Sequence, residues 1–167
     1  MPTKQGDVSL LNDPVAQELL QSTNQAKLAY VWSDGTPRVV PIWFHWNGQE
    51  IVFGTPPIAP KMKVLKNGTK VAITIDSPNP PWHVLYVRGS VRTDVVDGVS
   101  PEYAVSARRH MGEEAGNAWI AQVEQMGGKM ARIFVTPEWV GVLDFEKRLP
   151  SAIEKATSAA SSGASSA

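Results

Sequence analysis

The sequence predicts a mostly β protein of the α+β class, an antiparallel barrel with helices at its periphery. Three observations predict it. Segments with period-two apolar alternation recur at even spacing from Lys27 to Phe145. Two of the breaks between them, Asp34-Gly35 and Asn47-Gly48, carry hairpin residues. Helical patterning is confined to a short stretch near the start, a lysine-bearing piece after Pro60 and the region 100–125.

Asp13-Pro14 supplies an N-cap and a first-turn proline, so a short helix is expected over residues 15–22. Leu28, Tyr30 and Trp32 then alternate on one face of a first strand, and Asp34-Gly35 offers the φ > 0 pair of a two-residue hairpin. The return strand runs from Arg38 to Trp46. Val40, Ile42, Phe44 and Trp46 lie on one face and Val39, Pro41 and Trp43 on the other, and a strand apolar on both faces is expected to be covered on both. Pro41 has no N–H to give a ladder, which predicts an edge or a bulge. Asn47-Gly48 turns the chain into a third strand, Glu50 to Thr55.

Pro60 opens a short helix carrying Lys61, Lys63 and Lys66, with Asn67-Gly68 as its stop. Val71, Ile73 and Ile75 alternate as a strand, SPNPP breaks it, and Trp82 to Thr93 forms a long strand. Ser100-Pro101 starts a helical region that reaches Gln125 and is interrupted near Gly112 to Gly116. Met130 to Val135 and Trp139 to Phe145 are the last two strands, joined at Thr136-Pro137.

The 167 residues are read as an N-terminal extension over 1–12, one domain over 13–150, and a disordered Ala/Ser-rich tail over 151–167. Without cysteine there is no disulfide, thiol catalysis or Cys-type metal site, which fits a cytoplasmic location. Sixteen basic residues balance sixteen acidic ones, so no global field draws nucleic acid, and no apolar run approaches the roughly 18 residues of a membrane span. His45, His83 and His110 show no metal-ligand spacing, and nucleophile elbow, Walker loop and dinucleotide fingerprint are all absent. The Asn67-Gly68-Thr69 sequon has no role without secretion. Chemistry is therefore expected from a cofactor. The start of the lysine helix suits an anionic group, since its free N–H groups and Lys61 reinforce one another. Six tryptophans are available as an aromatic wall or interface, with Trp32 and Trp46 read as core and Trp43 and Trp82 as ligand contacts.

The hairpin DGTPRVVPIWF, the segment VFGTPPIAPKMKVLKNGTKVAITID and the strand VLYVRGSV resemble, in order and spacing, the pyridoxamine 5′-phosphate oxidase-like superfamily of flavin and deazaflavin oxidoreductases. The similarity runs from about Ala26 to Phe145 and implies an FMN-binding type of split β-barrel. It implies a homodimer with a cofactor cleft at each side of the subunit interface. Arg38, Val39, Val40, Pro41, Ile42 and Trp43 would line the ring, Gly54 and Thr55 would sit beside the phosphate arm, Lys61 and Lys63 would hold the phosphate, and Trp82 would lie near the cofactor. Trp43 stands where vitamin B6 oxidases carry a substrate lysine, Ala59-Pro60-Lys61 replaces a Ser-Arg-Lys run, and Val84 falls where a glutamine contacts the flavin. The C-terminal Arg-x-His motif of those oxidases is missing as well. The resemblance thus favours the deazaflavin F420, whose extended anionic tail asks for a basic strip such as Lys61, Lys63, Lys66 and Lys70, over FMN, with FAD as a minor option. The expected function is hydride transfer between the reduced cofactor and a small unsaturated substrate, with His45 and Tyr86 the available proton donors. The alternatives are an FMN-dependent oxidase or reductase, a binding protein for flavin, haem or an apolar ligand, and a structural protein whose tryptophans only build a dimer.

Overall fold

In a computed structural model, which describes residues 3–163, seven strands form one antiparallel sheet: β1 (Ala26–Val31), β2 (Pro37–Ile42), β3 (His45–Trp46), β4 (Ile51–Thr55), β5 (Lys70–Asp76), β6 (Val84–Asp97) and β7 (Lys129–Leu143). Their spatial order is β2-β1-β5-β6-β7-β4-β3. The two edge strands are consecutive in sequence and separated only by Trp43 and Phe44. The sheet must therefore curl until its edges approach, and the barrel has a seam at these two residues. The predicted strand Arg38 to Trp46 is split at that seam, its halves serving opposite edges.

Local chemistry sets the turns. Between β1 and β2, Trp32 N–H donates to the Thr36 carbonyl at 2.8 Å and Gly35 N–H to the Trp32 carbonyl at 2.9 Å. Gly35 has φ +85°, so the connection is a three-residue loop with a glycine bulge rather than the expected two-residue hairpin. The second hairpin turns on Gly48 and Gln49, with the Asn47 side chain accepting the N–H groups of Gln49 and Glu50 at 2.9 and 2.7 Å. The two C-terminal strands expected from Met130 to Phe145 are one strand, β7, because the interruption is absorbed as a bulge. Arg88 pairs with Trp139 and Gly89 with Pro137, leaving Glu138 as the extra residue. A Cβ on Gly89 would lie 2.1 Å from the Thr136 carbonyl oxygen, so only glycine fits.

Helix α1 (Pro14–Gln21) starts as expected, Asp13 accepting the Val15 N–H at 2.9 Å. Helices α2 (Pro101–Met111) and α3 (Glu113–Gln125) meet at Gly112, φ +84°, inside the predicted interruption. The Ser106 hydroxyl donates to the Phe44 carbonyl at 2.8 Å, and the Arg109 guanidinium donates to the same oxygen, bolting α2 to the barrel seam. Two regions differ from the sequence reading. The extension read over 1–12 packs on the barrel in its described part: Leu10 and Leu11 join the core, and the Gln5 amide pairs with Val142 N–H and carbonyl at 2.9 and 2.6 Å, completing the stretch of β7 that β4 leaves open. The tail expected to be disordered contains a helix, α4 (Ser151–Gly163), while 164–167 lie outside the described residues. Alanine favours helix even with nothing to bury, and Glu154 caps the start by accepting the Leu149 N–H at 3.0 Å.

The barrel interior holds Leu28, Phe44, Phe53, Ile73, Ile75, Leu85, Ile133 and Val140, all essentially inaccessible. The outer face is different. Its register sets two rungs, Val39-Ala29-Ala72-Arg88-Trp139 and Pro41-Lys27-Thr74-Tyr86-Gly141. Within a single chain Val39 is 62% exposed and Tyr86 38%, so the face expected to be covered on β2 is bare. Among the described residues no helix is long and apolar enough to cross a membrane.

Candidate functional site

The segment linking β4 to β5 carries the lysines. Pro56 and Pro57 open a turn, closed by the Ala59 N–H donating to the Pro56 carbonyl at 2.9 Å, and Pro60 then starts a single 3-10 turn over Pro60–Lys63. The helix expected to reach Lys66 stops there. The Thr69 hydroxyl donates to the Val64 carbonyl and accepts the Lys66 N–H, both at 3.0 Å, which draws the chain away from helical pairing. A four-residue turn has no useful dipole, so attraction for an anion rests on the side-chain charge itself.

Lys61 leads into a cleft of about 440 Å³ lined by Tyr30, Arg38, Val39, Val40 and Pro60. It is half-buried, and burial pushes its ammonium below the ordinary lysine value. Among the described residues Lys61 has no ion-pair partner and no carboxylate lines the cleft. Arg38 places its guanidinium 3.9 Å over the Trp32 ring. The nearest acid along the chain, Asp34, accepts from Thr36 N–H and hydroxyl at 2.9 and 2.6 Å, and those bonds hold its carboxyl below the usual range. Two cations thus face a carboxylate-free pocket beside a bare edge strand.

The structure brings Arg38, Val39, Val40 and Lys61 together and places the other predicted residues elsewhere. Pro41 and Ile42 continue along β2, with Pro41 exposed on the outer face. Trp43 stacks on His110 of α2, ring centroids 4.9 Å apart and planes at 17°. Gly54 is occupied from its open side, where a Cβ would meet Tyr103 and Met130 at 2.9 Å. Thr55 is buried at the end of β4, and Lys63 is exposed and does not line the cleft. Trp82, 51% exposed, sits in the loop after Asp76. That loop lies at the far end of β5 from Val71, the residue level with Tyr30, about 17 Å away at the usual strand rise. Of the basic strip, Lys70 bonds both Glu138 oxygens, at 2.8 and 2.7 Å, and is committed to that pair. Tyr30 and Pro60 line the cleft without having been singled out, although Tyr30 belongs to the first strand's alternation and Pro60 opens the lysine turn.

Neither available proton donor lines this cleft. His45 lies at the seam, where burial and the Arg109 charge lower its pKa against an opposing pull from Glu102. Tyr86 stands on the outer face in a second concavity of about 450 Å³ shared with Thr74, Arg88, Trp139 and Gly141. There the Arg88 guanidinium sits 4.1 Å over the Trp139 ring, a pair that the sequence reading missed because its members lie on different strands.

A profile of the pyridoxamine 5′-phosphate oxidase family matches residues 13–144, nearly the whole barrel. The chain belongs to this flavin-binding family. Among solved structures, this family member is similar to one described as an F420 reductase, 26% identical over 75% of this chain and 94% of that one, with a TM-score of 0.54. It is also similar to a conserved hypothetical protein from Mycobacterium tuberculosis, 17% identical, covering 87% and 92% of the two chains, TM-score 0.65. The haem storage protein HutZ from Vibrio cholerae is 20% identical, covering 78% and 93%, TM-score 0.55. The last two show a shared split-barrel fold. A search of the curated proteins found no match.

Proposed function

We propose that this chain is a homodimeric oxidoreductase whose Lys61 cleft holds the anionic arm of a flavin-type cofactor, the deazaflavin F420 in preference to FMN, with FAD the minor option. The observation that carries this is the half-buried, unpaired Lys61 beside Arg38, next to a bare edge strand. Removing a cation from water without a counter-ion is unfavourable, and an anionic ligand offsets the cost. The free edge of β2 offers backbone N–H and C=O groups at one side of the cleft, with Val39 and Val40 as its apolar wall. The likeness to an F420 reductase supports the deazaflavin, and the exposed Lys63 and Lys66 extend the positive charge for a longer anionic tail.

When bound, such a cofactor supplies hydride to an electrophilic carbon. The chain's own part is to orient the ring along β2, hold the anion at Lys61 and keep water from the apolar wall. The bare outer face, with Val39, Pro41 and Tyr86 exposed, supports a second copy as its cover. The reading places the protein in a cytoplasmic setting and gives it no nucleic-acid partner.

A second reading, binding without turnover, is favoured by one observation: no acid or base besides Tyr30 and the two cations lines the cleft. Single-turnover mixing of protein loaded with reduced F420 or FMN against α,β-unsaturated carbonyl compounds separates the two. Oxidation faster than that of the free cofactor is the expected result. Tight binding with oxidation no faster than free cofactor selects the binding protein.

A further inference from the structure

We propose that Lys61 is a covalent capture site for anionic aldehydes, its Nζ forming an imine with a small aldehyde whose phosphate or carboxylate is held by Arg38. The cleft separates this lysine from its neighbours. Lys63 and Lys66 are exposed to water, whereas Lys61 is half-buried against Tyr30, Val39, Val40 and Pro60. Other lysines on the sheet have acid partners: Lys27 pairs with Asp76, Lys70 with Glu138, and Lys129 with Asp97 at 3.5 Å. Lys61 has none among the described residues.

A desolvated, unpaired lysine keeps more of its amine neutral, and the neutral amine is the nucleophile. The lowered pKa of Lys61 agrees with its position. Arg38 contributes a guanidinium that does not compete for the carbonyl. In the reaction the ammonium gives one proton to solvent and the Nζ lone pair adds to the carbonyl carbon. The two remaining N–H protons pass, through solvent, to the former carbonyl oxygen, which leaves as water, so C=N replaces C=O with no change in oxidation state. This inference shares the cleft with the cofactor reading and does not depend on the cofactor.

The test uses the full chain and 4-formylphenyl phosphate, with borohydride to reduce the imine and peptide mass mapping to locate the adduct. At limiting reagent Lys61 is expected to carry roughly tenfold more adduct than Lys63 or Lys66. Neutral benzaldehyde is expected to lose that preference, and Lys61→Arg to remove the adduct from its peptide. Labelling spread evenly over the lysines, or indifferent to the phosphate, overturns the proposal. Competition with FMN and F420 keeps the two readings apart: selective labelling that neither cofactor blocks leaves the capture site standing and removes the cofactor assignment. Cofactor binding without selective labelling does the reverse.

Discussion

Lys61 differs from Lys63 and Lys66 in its surroundings, and those surroundings define what can be measured. Lys61→Ala is expected to weaken cofactor binding by about 1 to 3 kcal/mol, the range for a charge-assisted contact, with little change in thermal stability. Lys147→Ala is expected to stay within about 0.5 kcal/mol of the parent, since that side chain is exposed and outside the cleft. Calorimetric titration at one ionic strength checks both, and equal losses would remove the special role of Lys61. That Lys61 meets Arg38, Val39 and Val40 in one cleft was legible in the sequence through order and spacing within the family pattern; that Pro41, Ile42 and Trp43 lie outside it was not. The loss of Lys70 to Glu138 was not, because the partners are 68 residues apart and meet only through the β6–β7 bulge. Trp43 was misplaced for a similar reason: its stacking partner, His110, comes from a helix whose docking no local pattern announces.

Among the elements, the long β6–β7 ribbon and the α2 clamp carry separate predictions. Gly89→Ala brings a methyl group against the Thr136 carbonyl and is expected to cost about 3 kcal/mol, at the upper end of overpacking, read from urea unfolding. Under α2, burial and the Arg109 charge lower the pKa of His45, and burial lowers that of His110 against the opposing Ser106 carbonyl. Both values fall below the ordinary 6.5, so the unfolded chain binds more protons just beneath that pH. Their contribution to stability is therefore complete above about pH 6.5 and is lost as pH falls towards the folded values. His110→Phe, which keeps a ring against Trp43, is expected to flatten the fall in Tm between pH 7 and pH 5. An unchanged slope would show that His110 takes no part. The sequence foretold the break between α2 and α3 at Gly112, since glycine there needs no tertiary information. The lysine turn was overread as a helix because the side-chain bonds of Thr69, which end it, carry no periodic signal.

For the whole molecule, the fold class and the approximate position of each strand were legible, because alternation and turn residues are local. The order of the strands was not. β4 pairs with β7 and not with β2, and only this brings the edges β2 and β3 together at the Trp43-Phe44 seam. The same closure leaves Val39, Pro41 and Tyr86 of the outer rungs bare, while Gly6 covers Trp139 and Gly141 is buried, and from the bare part a dimer follows as a prediction. Val39→Glu places a charge on that face and is expected to give a folded monomer in sedimentation, whereas Val105→Glu, on the exposed side of α2, is expected to leave the assembly intact. The most direct test of the central claim is equilibrium titration of ligand-stripped protein with F420, FMN and FAD side by side, repeated on Lys61→Ala. The account predicts tightest binding of F420 and a loss of roughly tenfold or more in the variant. Binding of none of the three, or affinities that the variant leaves unchanged, would contradict it.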